Sequence, residues 1–431
     1  MWQARLAILN VLRSASALFV VFLFIGVLCP QGASAVPAFA RKYQTSCQTC
    51  HVAFPALTPF GEAFRWNGYR FPAGTDPSVS KDQPVSLGAD GYKKLWPKAV
   101  WPGEVGGVAP VAMVVTSSVA YDHAAKTVNF GGLGSEFEVF GAGTLGEHFS
   151  FWASVIFARD GASIATEMER LNLQIRPFEG PELQFKVGSF EPGLLLVSTH
   201  RSLMDQELFA LTATVGDNTW APEPFQQGFE AFGVVAHRVT YNAGFVEGSG
   251  SIADNSKDVY GRVAYKVGGL AADGVGQGEG LPANPKPWSE KSVTVSGFAY
   301  KGQGILDTPD ATRDAFRAFG GDVGVNFLDL MARAGLVDRK NDAPLIADPT
   351  TTDLKTTSQF AELSWVAYPW LVPAARWESI KVGADKTDRV SLTVTALVRA
   401  NIKTFVAADW QKPQGGKLEN EEGLAGISFG F

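Results

Sequence analysis

Residues 110–431 alternate between apolar and polar side chains with a period of two. Because successive side chains of a β-strand point to opposite faces, this pattern predicts strands with one apolar and one polar face. In the first of them, Val111 and Met113 lie on one face, and Thr116 and Ser118 lie on the other. The alternation recurs up to the C-terminus, so we expect the larger part of the chain to be all-β.

A soluble β-sandwich and a transmembrane β-barrel both fit this alternation, and three features favour the barrel. The predicted hairpins have alternately short and long connections, which is typical of outer-membrane barrels. Charged residues stand deep in the polar face, and a wet or plugged lumen tolerates them better than a dry core: Arg170, Arg176, Lys186 and Arg262. The chain ends in Phe431, with Phe429 and Ile427 on the same face, which is typical of the last strand of such a barrel.

The length of this region sets the size of the barrel. About 320 residues, at roughly 20 residues for a strand and its connection, give on the order of 16 antiparallel strands. Both ends of the barrel should face the periplasm, so the number of strands should be even. We therefore expect a transmembrane antiparallel β-barrel in the bacterial outer membrane, wide enough to enclose an aqueous lumen.

The N-terminus has the composition of an export signal. Arg5 and Arg13 precede an apolar stretch at 18–28, and the small residues Ala33-Ser34-Ala35 follow it. We predict that residues 1–35 are a signal peptide cleaved after Ala35. A lipoprotein anchored at Cys29 is the alternative, but Leu28 is larger than the residue that usually precedes a lipidated cysteine.

After cleavage the remaining cysteines stand in Cys47-Gln48-Thr49-Cys50-His51. This C-x-x-C-H spacing is the attachment motif of a c-type haem, in which the thiols add across two vinyl groups and the histidine faces the iron. A zinc site would need further Cys or His ligands nearby, and a thioredoxin-like pair would need a βαβ setting. We therefore predict one covalent haem c held by Cys47, Cys50 and His51, with His51 as the metal ligand.

Residues 36–72 form the predicted haem segment, and residues 73–109, rich in Gly, Pro, Ser and Asp, form a linker to the barrel at 110–431. Thr58 is a good N-cap for a short helix that begins at Pro59 and stops at Asn67-Gly68. Four aromatic residues either line the edge of the haem or pack a small core: Phe54, Phe60, Phe64 and Trp66. Because the segment is too short to bury a haem alone, we expect it to enter the lumen and be covered by the barrel.

The sixth iron position has two candidates on a long predicted connection, His200 and Met204. Both residue types are common axial ligands, and a methionine raises the reduction potential relative to a second histidine. The remaining histidines of the barrel stand at strand ends or turns, where surface roles are expected: His123, His148 and His237. The sequence leaves the choice between His200 and Met204 open.

Several blocks of the sequence carry a family resemblance: Pro37-Ala38-Phe39-Ala40-Arg41 before the haem motif, Phe54-Pro55-Ala56-Leu57-Thr58-Pro59-Phe60-Gly61 with Asn67-Gly68-Tyr69, Tyr368-Pro369-Trp370-Leu371 with Arg376, and the final Phe431. Together they resemble the outer-membrane cytochrome–porin fusions, which include the outer-membrane cytochromes of iron-oxidising bacteria. The resemblance implies a monohaem segment on or in a porin-like barrel. It also implies electron transfer across the outer membrane, in some members from extracellular Fe(II) to a periplasmic carrier. The block Gly188-Ser189-Phe190-Glu191-Pro192 also resembles anion-selective porins, so the barrel alone does not identify a substrate.

The leading functional hypothesis is thus an electron conduit of the outer membrane, with Fe(II) oxidation as one form of it. A diffusion porin whose haem segment is a plug or sensor is the first alternative. A conduit that exports electrons to extracellular acceptors is the second. A formal net charge of −6 argues against a nucleic-acid partner.

Overall fold

The computed structural model describes residues 38–72, 75–83, 85–86, 90–95, 104–105, 107–130, 136–160, 163–204, 206–248, 257–276, 282, 284–307, 312–348, 350 and 352–431. The predicted signal peptide at 1–35 lies outside these residues. Among the described residues, no helix is both long enough and apolar enough to span a bilayer.

The N-terminal part consists of short elements. They are α1 (Ala38–Tyr43), a 3-10 turn (Cys47–Thr49), β1 (His51–Ala53), β2 (Ala56–Leu57), α2 (Pro59–Trp66), α3 (Asp76–Val79), β3 (Val85–Ser86), α4 (Asp90–Leu95) and β4 (Glu104–Val105). The helix predicted after Thr58 is confirmed as α2: the Thr58 side chain accepts a hydrogen bond from the Gly61 amide, and Asn67 is the C-cap. The region predicted as a linker thus holds short elements of its own, and Val79 packs into the aromatic core of the preceding segment.

A closed antiparallel barrel follows. Its strands are β5 (Val111–Asp122), β6 (Thr127–Phe130), β7 (Glu136–Leu145), β8 (Phe149–Asp160), β9 (Ser163–Ile175), β10 (Gln184–Phe190), β11 (Gln226–Val235), β12 (Val239–Val246), β13 (Asp258–Gly268), β14 (Glu290–Asp307), β15 (Thr312–Leu328), β16 (Leu330–Asn341), β17 (Leu354–Trp365), β18 (Leu371–Val382), β19 (Asp385–Arg399), β20 (Ile402–Pro413) and β21 (Glu419–Gly430). The strands pair in sequence order, except that β6 and β7 both pair with β5, and β21 closes the ring by pairing with β5.

The ring has 16 strand positions, because β6 and β7 share one of them. β6 pairs with the end of β5 at Val119–Asp122, and β7 pairs with its beginning at Val111–Thr116. The prediction of an all-β transmembrane barrel of about 16 strands is therefore confirmed.

The outer surface of the wall is apolar. Along β13, Val263 and Tyr265 are exposed outward, whereas Arg262 and Ala264 are buried on the lumenal side. Val259 and Val267 continue this outward band along β13 itself. The next two strands, β14 and β15, extend it with large apolar side chains: Val293, Val295, Phe319, Val323, Val325 and Phe327. A closed barrel with an apolar outer band is the arrangement of outer-membrane proteins, so the predicted location in the outer membrane is confirmed.

The connection between β10 and β11, called here the inward loop (residues 191–225), folds into the lumen. Its residues Leu208, Leu211 and Trp220 pack with Tyr300 and Phe316 of the wall in the main apolar cluster. Polar contacts also fix the loop, since the Phe209 amide donates to Glu378 at 2.7 Å. Glu378 in turn pairs with Arg376 and Arg389 of the wall.

The N-terminal segment enters the lumen from the opposite rim. Four side-chain hydrogen bonds join it to residues at the rim where the barrel begins: Arg70 to the Phe149 carbonyl (2.7 Å), Gln184 to the Trp66 carbonyl (2.7 Å), Asn67 to the Asp273 carbonyl (2.8 Å) and Gln48 to the Pro369 carbonyl (2.7 Å). Val52 and Ala53 then meet Leu203 of the inward loop in a second apolar cluster. The segment therefore lies within the barrel, as expected from its length.

Candidate functional site

The Cys47–His51 stretch forms a tight turn that is fixed by backbone and cap contacts. The Cys50 amide donates to the Cys47 carbonyl at 3.2 Å, which closes the 3-10 turn. The hydroxyl of Thr58 donates to the Thr49 carbonyl at 2.9 Å, and its amide donates to the Cys50 carbonyl at 2.9 Å. One threonine thus caps α2 and ties that helix to the motif.

Gly61 allows α2 to lie against this turn. A Cβ atom at Gly61 would stand 2.1 Å from the Cys50 carbonyl oxygen, which is a backbone atom that cannot rotate away. The close approach therefore requires glycine at this position.

Both cysteines are free and partly buried, and both line the lumenal cavity. Burial raises the pKa of the Cys47 thiol and raises the pKa of Cys50 to about 12. Reactive C-x-x-C pairs have lowered thiol pKa values, because a nearby positive charge or helix dipole stabilises the thiolate. The pair is therefore unlike a redox-active dithiol, and it joins no cluster of three metal-ligating side chains among the described residues.

His51 follows the second cysteine and lines the same cavity. Its Nδ1 lies 3.2 Å from the Pro55 carbonyl oxygen. Burial lowers the pKa of His51 to about 4, so the ring is neutral at neutral pH. With Nδ1 donating to Pro55, the unprotonated Nε2 is available as a metal ligand.

The cavity between segment, wall and inward loop has a volume of about 1140 Å³. That is just above the usual range for pockets that enclose cofactors and drug-sized ligands, roughly 300–1,000 Å³. Part of its lining is apolar, and it includes Phe54, Phe140, Trp152, Leu203, Leu397 and Phe405. The ring centroids of His51 and Phe54 are 5.3 Å apart, so an aromatic ring stands beside the imidazole.

The four aromatic residues singled out from the sequence divide between the two expected roles. Phe54 lines the cavity and packs edge-on against Phe140 of the wall. Phe60 and Phe64 build the small aromatic core of the segment, and Phe64 lines the cavity as well. Trp66 packs on Phe232, where the segment meets β11.

The two candidate axial residues of the inward loop have different surroundings. The ring nitrogens of His200 lie 3.3–3.7 Å from Glu169, Glu191 and Glu223. Burial alone would lower the pKa of His200, but the three carboxylates outweigh it and raise the pKa to about 11. Met204 is buried, lines the cavity and has no charged partner in these contacts. Met331 of β16 lines the cavity too.

The other histidines lie where the sequence predicted them. His148 bonds to the Arg176 carbonyl in an exposed turn. His237 is exposed and pairs with Asp273 at 2.6 Å.

Sequence reasoning placed Arg170, Lys186 and Arg262 on the lumenal face, and these residues line the cavity, but it missed two charged pairs there. Arg65 pairs with Glu62 on α2 at 2.9 Å, and Arg201 pairs with Glu191 at 3.2 Å. The spacing of Glu62 and Arg65 by three residues on a helix was a usable signal. The second pair joins distant parts of the inward loop, which no local pattern reveals.

Comparison with solved structures identifies porins as similar folds. An anion-selective porin from Comamonas acidovorans is 12% identical, with a TM-score of 0.52, and the match covers 74% of this chain and 98% of that one. Salmonella typhi OmpF, solved in complex with daunomycin, is 10% identical, with a TM-score of 0.50, and the match covers 74% and 97%. At this identity the likeness concerns the fold alone. No protein-family model and no curated protein matches the sequence.

Proposed function

We propose that this porin-like protein carries one haem c, attached to Cys47 and Cys50 with His51 as an iron ligand, and transfers electrons across the outer membrane. The observation that supports this most is that two free thiols and a neutral imidazole line one cavity inside the lumen. When bound, a haem supplies a one-electron iron centre whose potential depends on its axial ligands and surroundings.

The chain's own groups fit this cofactor. The thiols of Cys47 and Cys50 are protonated and unpaired, as addition of each S–H across a vinyl C=C bond requires. Pro55 orients His51 through Nδ1. Phe54 and Trp152 restrict water on the apolar side of the cavity.

Met204 is the better choice for the sixth position. An iron ligand must direct a free lone pair at the iron, and both ring nitrogens of His200 face carboxylates instead: Nε2 faces Glu169, and Nδ1 faces Glu191 and Glu223. Met204 lines the cavity with an uncharged sulfur. Replacing it by leucine should lower the reduction potential and abolish the sulfur-to-iron absorption band, whereas Met113→Leu on the outer face should change neither. An unchanged spectrum in Met204→Leu would exclude this ligand.

The proposed function requires an electron donor or acceptor at each rim of the barrel. The closed wall separates the cavity from lipid, so electrons enter and leave along the lumen. Extracellular Fe(II) on one side and a periplasmic electron carrier on the other are the partners that the resemblance implies. The same arrangement also permits export of electrons to an extracellular acceptor.

The decisive experiment is reduction of the haem by Fe(II) in the purified full-length protein. We expect prompt reduction in the wild type and none in His51→Ala, which should still assemble its barrel. Reconstitution in liposomes with the donor on one side and an acceptor trapped on the other then gives the direction of transfer. Absence of covalent haem in the denatured protein, or unchanged transfer in His51→Ala, would refute the proposal.

A diffusion porin with the segment as plug or sensor is the second candidate, and the porin-like fold favours it. It predicts ion conductance in planar bilayers that rises when the segment is displaced. The electron-transfer proposal predicts little conductance in the intact protein, because segment and inward loop meet inside the lumen.

A further inference from the structure

We propose that Glu191, His200 and Glu223 form a binding site for one divalent first-row metal ion at the base of the inward loop. Glu191 directly follows β10, and Glu223 precedes β11 by three residues. His200 lies in a 3-10 turn within the loop, Thr199–Arg201. One ligand atom from each of the three side chains lies within 4.8 Å of the others.

The spacing of these atoms suits a metal better than a hydrogen bond. Nδ1 of His200 lies 3.3 Å from Glu223 and 3.7 Å from Glu191. A charged N–H···O bond is about 2.7–2.9 Å long. Two ligands on a tetrahedral ion, at bond lengths of about 2.0–2.1 Å, stand roughly 3.3–3.4 Å apart. The separations therefore leave room for an ion between the three groups.

His200 is oriented for this task from its other side. Its Nε2 faces Glu169 of β9 at 3.5 Å, while its Nδ1 is buried and has no hydrogen-bond partner among the described residues. A histidine that ligates a metal through one nitrogen usually donates the other N–H to a carboxylate. Glu169 is the carboxylate on the Nε2 side, although 3.5 Å exceeds the length of a charged hydrogen bond, and Nδ1 is the nitrogen left to ligate.

Neighbouring groups hold both carboxylates in place. Glu223 accepts hydrogen bonds from the amide of Thr199, at 2.6 Å, and from its hydroxyl. Glu191 accepts from Ser198 at 3.0 Å and from Arg201 at 3.2 Å. Ordered ligands lose less conformational entropy when an ion binds.

The charges around the site suit a dication. Glu169, Glu191 and Glu223 carry three negative charges, and Arg201 pairs with one of them. Arg170 acts on both Glu169 and Glu191 and offsets a further part of this negative charge. In the metal-free protein His200 carries a proton, and the ion would replace it. One imidazole with carboxylates is a donor set for Zn²⁺, Mn²⁺, Fe²⁺ or Co²⁺.

The site opens to the lumen. Glu191 and His200 line the same cavity as Cys47 and His51, so a water or another small ligand can complete the coordination sphere. Because its ligands stand near both ends of the inward loop and within it, a bound ion would also fasten the loop to the wall.

The test is titration of the purified, detergent-solubilised full-length protein, stripped with a chelator, with Zn²⁺ by calorimetry and with Mn²⁺ by electron paramagnetic resonance. We expect one ion per chain. Glu223→Gln, which keeps the side-chain shape, should weaken binding at least tenfold, as should His200→Ala. Glu169→Gln should weaken it roughly 10- to 100-fold through loss of orientation.

His237→Ala is the matched control, because it removes an imidazole that also faces a carboxylate, Asp273, at the exposed rim. Its affinity for Zn²⁺ should equal that of the wild type. Heat-modifiable migration in gels confirms that each variant has a folded barrel. Absence of stoichiometric binding in the wild type, or equal affinity in Glu223→Gln and wild type, would overturn the site. These readouts report the added ion and not the haem, so their failure leaves the proposed function untouched.

Discussion

The barrel wall and the segment inside it are built by different rules. In the wall, each strand needs only its hydrogen-bonded neighbours and an apolar residue at every second position facing lipid. In the segment, short elements are held by individual contacts, such as Thr58 to the motif and Gly61 against the Cys50 carbonyl. The comparison teaches that a repeated, local requirement tolerates substitution, whereas a contact made once does not.

The largest expected effect comes from removing both thiols. On the proposed function, Cys47→Ser/Cys50→Ser should lose all covalent haem, while the barrel still closes, because no strand pairing involves these residues. Peroxidase staining after denaturation measures the haem, and heat-modifiable gel migration measures the barrel. If the barrel failed to assemble, the barrel and the segment inside it would have to be considered one folding unit.

A charge placed on the lipid-facing surface should lower the stability of the barrel without changing the packing of the segment. Val263 is 57% exposed on the outer face in the middle of β13. Val263→Lys should destabilise the barrel by about 2–4 kcal/mol, measured by urea unfolding in detergent or lipid. Thr294→Lys, which lines the cavity from the neighbouring strand, should cost less. Equal costs would mean that this face does not meet lipid.

The close contact at Gly61 should make the N-terminal segment sensitive to a single substitution in the same way. Gly61→Ala places a methyl group against backbone and should destabilise the packed segment by about 1–3 kcal/mol. The expected readouts are a lower fraction of haem-bearing chains and faster proteolysis of the segment. Gly423→Ala on β21 is the control, because a Cβ there meets no atom within 4 Å. A neutral Gly61→Ala would contradict the close packing of α2 on the motif.

The smallest expected effect is a dependence of the segment's stability on pH, through Glu62. Burial opposes ionisation of Glu62, but Arg65 and Arg201 outweigh it and lower its pKa below 4.5. The unfolded chain therefore binds the proton first, so the stabilisation is complete above about pH 4.5 and lost as pH falls through the lower, folded value. Glu62→Gln should flatten the decline in the thermal midpoint of the segment as pH falls below about 4.5. Glu419→Gln, at the exposed start of β21, should not.

The wall was predictable because its signal is local. Period-two alternation, the charged lumenal residues and the final aromatic strand each report on a few neighbouring residues. The interruption between β6 and β7 was not predicted, since both pieces share one partner strand and only the pairing shows it.

Inside the barrel, the arrangement of the N-terminal segment and the inward loop was predictable only at the Cys47–His51 motif. Cys47, Cys50 and His51 stand together in sequence, so their shared position on the cavity could be expected. The surroundings of His200 could not, because Glu169 belongs to β9 and reaches the ring only after the inward loop folds. The same reason hid the meeting of Leu203 with Val52.

The enclosure of the motif by segment, loop and wall has a consequence for maturation. An enzyme that forms thioether bonds cannot reach Cys47 and Cys50 once β21 has paired with β5 around them. On the proposed function, the cofactor must therefore be joined in the periplasm while the chain is still open. Insertion into the membrane would then be the later step, and it would seal the finished redox centre in place.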